Sequence, residues 1–193
     1  MGTASVIGID VGGARKGFHA VALRAGATAG QLATTDAEVL AHWCRAVIGA
    51  QLIAIDAPCR WSADGRARPC ERALNAAGIR CFSSPSRQAA ISHPSNYYGW
   101  MLQGEALYRQ LETSHTLLAA LPPSAPACFE TFPHAIAWHL RGGRSAASCW
   151  SRPASTRRPS PASTSSMPPS APSPPTSWPA AVLAGPMARR ARD

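Results

Sequence analysis

The chain has 193 residues, 46% of them hydrophobic, and a formal net charge of +9. That length is enough to bury the core of one domain, and no apolar run is long enough to span a bilayer. The charge points to nucleic acid until it is divided along the chain: residues 1–142 carry twelve Lys+Arg against nine Asp+Glu, which is +3, and residues 143–193 carry seven against one, which is +6. Lys16 is the only lysine among nineteen basic residues, a bias that GC-rich coding explains as well as a basic surface does. With no basic or apolar leader before the first apparent strand, a soluble cytoplasmic protein is expected, without membrane partners. The six cysteines include no Cys-x-x-Cys pair and are expected as free thiols.

In chain order, the run Ser5-Val6-Ile7-Gly8-Ile9-Asp10-Val11 reads as a strand, followed by a turn at Gly12-Gly13. Gly17 to Leu23 and Ala27 to Thr34 read as two more, and the three together predict an antiparallel meander. Thr35 or Asp36 then caps a helix with Val39, Leu40, Trp43, Val47 and Ile48 at helical spacing. Leu52 to Asp56 is the next strand. Pro69 to Ala77 predicts a short helix stopped by Gly78, and Ile79 to Ser83 an extended piece broken by Pro85. Ser95 or Asn96 caps a longer helix with Met101, Gly104, Leu107, Tyr108 and Leu111 on one face, and Glu105 and Arg109 are spaced to pair. Ala127 to Phe132 is a last strand, and Pro133 opens a helix to Leu140. This order predicts an α/β domain with a mixed sheet. From Gly143 the character changes: ten of the eighteen prolines fall there and no apolar period survives. Residues 1–142 are expected to be the domain and 143–193 a Pro/Ser/Arg-rich disordered tail.

Asp10 and Asp56 carry the clearest chemical signal. Asp is depleted in strands and rarely buried unpaired, so an acid at the tip of each of two short strands is poorly explained by packing. Two carboxylates about 4 Å apart repel by roughly 4 kcal/mol at an effective dielectric of 20 and call for a cation or a shared proton. Mg²⁺ or Mn²⁺ meets that need with hard oxygen ligands. Glu130, in Phe129-Glu130-Thr131-Phe132-Pro133, is a candidate third ligand or a substrate-positioning acid. The alternative for each acid is a loop cap or an arginine pair. Gly12-Gly13 with Lys16 can cradle phosphate or simply form a tight hairpin. Arg66, Arg68, Arg72 and Arg87 are candidates to grip a substrate phosphate. Tyr97, Tyr98 and Trp100, near His93, either stack a base or pack at a helix start. His19 reads as structural, and His134 as a neighbour of the acidic site.

Four segments resemble a known family: Ile7-Gly8-Ile9-Asp10-Val11-Gly12-Gly13, Ala54-Ile55-Asp56-Ala57-Pro58, Phe82-Ser83-Ser84-Pro85-Ser86-Arg87 and Glu130-Thr131-Phe132-Pro133-His134. They look like the domain-of-unknown-function family 429, described as predicted RNase H-like nucleases, over about residues 5–142. The resemblance implies an RNase H-like mixed sheet with flanking helices, Asp10 on the central first strand and Asp56 at the end of the fourth. It further implies a metal-dependent hydrolase cleaving phosphodiesters, with nucleic acid as partner. On this reading Asp10 and Asp56 are catalytic metal ligands, and Glu130 is a third catalytic metal ligand or a substrate-positioning acid. Lys16 and Arg87, already singled out by the residues themselves, are the substrate-binding candidates. Members would continue with a basic stretch, a helix and a motif resembling I-D-F-V-D-A-A-L-C-A. The stretch from Ala162 to Pro172 can be encoded so that another frame spells that motif, and the single-codon residues Met167 and Trp150 fit. The tail is therefore read as a frameshift product that impairs activity. Two rivals remain: a sugar or acetate kinase-like ATPase, suggested by Ile9-Asp10-Val11-Gly12-Gly13, and an inactive nucleic-acid-binding module.

Overall fold

The computed structural model describes residues 4–121 and 123–142. The expected tail, with Cys149, Trp150 and Met167, lies outside the described residues.

The first three strands form as the alternation predicts. In β1 (Ser5–Val11) every second residue is buried, and β2 (Phe18–Arg24) follows the same pattern until its end. With β3 (Ala27–Thr34) they make the antiparallel meander, each strand hydrogen-bonded to the next. β4 (Leu52–Asp56) pairs parallel to β1, β6 (Ala127–Glu130) pairs parallel to β4, and the two-residue β5 (Thr116–Leu117) lies on the far edge. The sheet order is β3-β2-β1-β4-β6-β5, so β1 and β4 are central. This is the α/β mixed sheet that the element order implies, with helices flanking it.

One face of the sheet holds the core. Ile7, Ile9, Val11, Phe18, Ala20, Ile53, Ile55 and Cys128 meet Leu40, Ala41, Cys44, Ile48, Leu107, Tyr108 and Leu111 from the helices. α1 (Ala37–His42) is capped by Asp36, whose Oδ1 accepts from the Glu38 and Val39 N–H groups at 2.8 and 3.2 Å. It continues into a π-helical segment, Trp43–Ile48, ended by Gly49 in the left-handed conformation. The expected apolar stripe is corrected here: Val39 and Val47 are exposed, and Leu40, Cys44 and Ile48 are the buried residues. An α-helix drifts forward over each four-residue step, and the wider π turn winds back, which keeps 40, 44 and 48 over the sheet.

α4 (Gly99–Leu111) buries the face expected of it. It begins after Tyr98, not at Ser95 or Asn96, because Asn96 takes a left-handed conformation with φ of 54° and cannot open the helix. α4 runs antiparallel to β4. At its far end buried His115 donates from Nε2 to the Ala50 carbonyl at 3.0 Å, just before β4 begins. Nearer its start Gly104 lies against Ala57, just after β4 ends: a Cβ on Gly104 would meet the Ala57 Cβ at 2.6 Å. The Tyr108 hydroxyl fixes the same place by donating to the Ala57 carbonyl at 3.2 Å.

α2 (Pro69–Ala76) and α5 (Pro133–Leu140) form as the prolines suggest, whereas α3 (Arg87–Ile91) had no clear apolar period to announce it. The extended piece from Ile79 to Ser83 pairs with no strand. Its backbone is tied to α2 instead, with Ile79 N–H on the Leu74 carbonyl at 2.9 Å and Cys81 N–H on Asn75 Oδ1 at 3.1 Å. The last strand stops at Glu130 rather than Phe132, although the Thr131 N–H still reaches the Ile55 carbonyl at 2.9 Å. On the second face of the sheet, Val6, Val21 and Leu23 are each more than a third exposed.

Candidate functional site

Asp10 and Asp56 are register partners on adjacent parallel strands, β1 and β4. Neighbouring strands lie about 4.8 Å apart, and paired residues of a parallel ladder share a face. Both acids therefore stand side by side at the C-terminal ends of the two central strands. They are on the face opposite Ile9 and Ile55, and Asp10 is exposed while Asp56 is half-buried. Across β1 and β2, His19 stands opposite Asp10 and is exposed, a neighbour of the acid on the open face. Among the described residues no salt-bridge cation and no hydrogen-bond donor meets either carboxylate. Burial pushes the Asp56 carboxyl up to about 6, and the charges of Asp10 and Glu130 add to the effect.

Glu130 is placed differently. It pairs in register with Ile55, so it projects to the helix-covered side of the sheet and not beside Asp10 and Asp56. Arg68 grips it in a two-pronged fork, Nη2 to Oε1 at 2.6 Å and Nη1 to Oε2 at 2.8 Å. Oε2 also accepts the Cys59 N–H at 3.0 Å. The same guanidinium donates from Nε to Glu71 Oε1 at 2.7 Å, and the Arg68 N–H donates to Glu71 Oε2 at 2.8 Å. Ser84 completes the knot by giving its N–H and its hydroxyl to Glu71 Oε1 at 3.0 and 2.6 Å. Burial alone would raise the Glu71 carboxyl, but the Ser84 hydroxyl and Arg68 outweigh it and hold the group below its ordinary value. Burial likewise works against the charge on Arg68, and its bonds and attraction to Glu130 more than reverse that.

The sequence suggested Arg68 and Arg87 as phosphate grips. Arg68 is fully engaged in the knot, and Arg87 directs Nε to both carboxylate oxygens of Glu105, at 2.9 and 3.0 Å. Glu105 also accepts from Arg109 Nη2 at 2.9 Å, the expected i,i+4 pair. Lys16 is exposed on the β1–β2 turn with its stem against Gly12. That turn is a closed hairpin: the Gly12 N–H donates to the Gly17 carbonyl at 2.7 Å, and the Lys16 and Gly17 N–H groups to the Gly13 carbonyl at 2.9 and 2.8 Å. Those three amides are already used and do not line a phosphate cradle. His134 lies between the rings of Phe132 and Trp138, with centroids 5.7 and 6.5 Å away.

The five described cysteines are free, as expected. Burial pushes Cys44 and Cys59 up to about 12, and Cys81 and Cys128 up to about 11, so these thiols stay protonated at neutral pH and are poor nucleophiles. Sequence reasoning missed the Glu71–Ser84 half of the knot. The available signal was Glu71 three residues after Arg68 at the start of a Pro-opened helix, the spacing of a carboxylate that caps backwards. Among the described residues no group of three or more His, Cys, Asp or Glu side chains is gathered as a metal cage. No described helix is long and apolar enough to cross a membrane.

A family model described as "Protein of unknown function (DUF429)" matches residues 8–160, and the chain belongs to that family. The match takes in β1 from Gly8 onward, β4, the 82–87 segment and Glu130, and it runs eighteen residues past Gly142, where the domain was expected to end. No curated protein and no solved structure matches the chain.

Proposed function

We propose that this chain is a metal-dependent nuclease of RNase H-like ancestry, with Asp10 and Asp56 holding Mg²⁺ or Mn²⁺. The observation that carries the reading is the in-register acid pair with no counter-charge of its own among the described residues. Two carboxylates suit a hydrated Mg²⁺, which keeps several waters and asks for only one or two acids. The position of Asp10 on a central first strand and of Asp56 at the end of the fourth also fits the RNase H-like expectation. When bound, a divalent ion supplies a polarised phosphoryl oxygen and a more acidic water.

The protein's own residues divide the remaining work. Asp56 competes between ion and proton, since its carboxyl is raised to about 6. Lys16, exposed on the turn just beyond Asp10, is placed to meet a phosphate charge. Glu130 serves as a positioning acid: through Arg68 and the Cys59 N–H it fixes the loop that leaves β4 immediately after Asp56. A ligand role for Glu130 requires Arg68 to let go. Arg87 is held on Glu105 by Nε alone, and its half-exposed side chain leaves the Nη groups open to a phosphate. With two acids on the open face and no third gathered there, cleavage by this chain is expected to be slow.

The test is metal-dependent cleavage of single-stranded, duplex and branched substrates by the purified chain and by a version with the alternative 3′ reading frame restored. Weak Mg²⁺- or Mn²⁺-dependent cleavage, abolished in Asp10→Asn and Asp56→Asn and raised in the restored version, is the expected result. Cleavage that survives both substitutions would end the assignment.

A further inference from the structure

An open cavity of about 450 Å³ is lined by Phe82, Ser83, Tyr97, Tyr98, Trp100 and Met101. Two of its aromatic side chains, Phe82 and Tyr97, are exposed, whereas Trp100 packs against the core. Phe82 is 75% exposed and Tyr97 55% exposed. Yet the backbone around Phe82 is fixed on both sides, by Asn75 on the Cys81 N–H and by buried Glu71 on the Ser84 N–H. His93, Tyr97 and Tyr98 hold one another with centroids 4.9 to 5.8 Å apart, two of the three contacts edge-on. A single exposed phenyl ring would need no explanation, but Phe82 lines one cavity with Tyr97, Tyr98, Trp100 and Met101, and a contiguous apolar patch of that kind marks a binding surface.

Position and charge narrow the occupant. Trp100 and Met101 lie one turn before Gly104, which rests on Ala57 beyond the end of β4. The cavity therefore overhangs the same end of the sheet as Asp10 and Asp56, but from the helix-covered face, so a strand joining the two passes over the strand ends. Residues 57–98, which supply four of its six lining residues, carry six arginines against two acids. Arg68 and Arg87 are paired with Glu71, Glu130 and Glu105, and Arg60, Arg66, Arg72 and Arg80 form no salt bridge among the described residues. Exposed aromatic faces set in a cationic sector are the means by which proteins hold single-stranded nucleic acid, with bases on the rings and phosphates near the arginines. A duplex keeps its bases stacked and offers none to such a cavity.

We propose that this cavity takes an unpaired base of a single-stranded nucleic-acid segment whose backbone runs on to Asp10 and Asp56. It rests on the nuclease reading for the second half of that statement and deepens it, making an unpaired strand the substrate class. Stacking is sequence-tolerant, so no particular base is required.

The experiment uses the full chain in EDTA, so that metal and cleavage play no part. Anisotropy of a labelled oligothymidylate is compared with that of the same strand annealed to its complement and with an abasic strand of equal length. Wild type should bind the single strand more tightly than the duplex or the abasic strand. Phe82→Ala and Tyr97→Ala should each weaken single-strand binding about tenfold, and Phe82→Trp should preserve it. Both side chains are exposed, and circular dichroism confirms that the variants fold. Equal binding by wild type and the alanine variants, tighter binding to the duplex, or no binding to any strand would overturn the proposal. The two readings fail separately: a pocket that binds in a chain that never cleaves defeats the nuclease, and cleavage lost in Asp10→Asn but indifferent to Phe82→Ala defeats the pocket.

Discussion

Four carboxylates gather near one end of the sheet, and they are treated in opposite ways. Glu71 and Glu130 are drawn around Arg68, and every oxygen of both accepts at least one hydrogen bond. Asp10 and Asp56 stand side by side and receive nothing from the described residues. Burial, with the charges of Asp10 and Glu130 added to it, raises Asp56 to about 6 with nothing to offset it, while Glu71, almost wholly buried, is pushed below its ordinary value by Ser84 and Arg68. Burial alone does not decide the state of these acids; the source of the counter-charge does. Glu71 and Glu130 have their cation built into the chain, and Asp10 and Asp56 have none among the described residues.

Removing the built-in cation should have the largest effect. Arg68→Ala strands Glu71 and Glu130 without their partner and is expected to destabilise the fold by about 3–5 kcal/mol, read by urea denaturation. Arg68→Lys should recover only part of the loss, because an ammonium cannot make the fork. If Arg68→Ala unfolds with wild-type parameters, the knot is ornamental and the contrast collapses.

The uncompensated pair should instead show itself in metal binding and its pH dependence. Calorimetric titration with Mn²⁺ is expected to give affinity that rises from pH 5 to pH 7, as Asp56 gives up the proton that competes with the ion through about pH 6. Asp10→Asn should weaken binding strongly across the range. A flat profile, or equal affinity in wild type and variant, would place the ion elsewhere.

The smallest effect is on stability without metal. Because the folded-state value for Asp56 lies above the ordinary 3.8, the folded chain holds more protons than the unfolded one between about pH 4 and 6. Stability attributable to this group is greatest below that window and falls as pH rises through it. Asp56→Asn should therefore be slightly more stable than wild type above pH 6, by under about 1 kcal/mol for a half-exposed group, with the gain vanishing near pH 4. A destabilised Asp56→Asn would mean that the carboxylate has a structural partner.

The legible parts of this molecule were those with short-range causes. β1 and β4 could be read from their short apolar, β-branched runs, and the same runs placed Asp10 and Asp56 at strand ends. Their common face follows once the two strands are parallel and in register. Glu130 was legible as an acid on a strand but not as the partner of Arg68, sixty-two positions away in the chain. Nothing local to Phe129-Glu130-Thr131 announces an arginine from a distant loop. The extended piece from Ile79 to Ser83 finds no strand partner among the described residues, because its hydrogen bonds go to Leu74 and Asn75 of a helix. The π turn after His42 was equally hidden, since its cause is the sheet beneath Leu40, Cys44 and Ile48 and not those residues' own preferences.

The contact between Gly104 and Ala57 has a geometric consequence. With no side chain at 104 and only a methyl at 57, helix and strand end meet without a compressible layer between them, and Ala57 is bonded directly to Asp56. Tyr108 latches the same spot one turn later. The start of α4 cannot slide along the sheet without dragging the carboxylate with it. On the proposed reading, that fixed contact holds the Trp100 side of the cavity at a set distance from the acid pair and acts as a ruler. A strand whose unpaired base sits at one end of that ruler would be cut a constant number of nucleotides away, whatever its sequence.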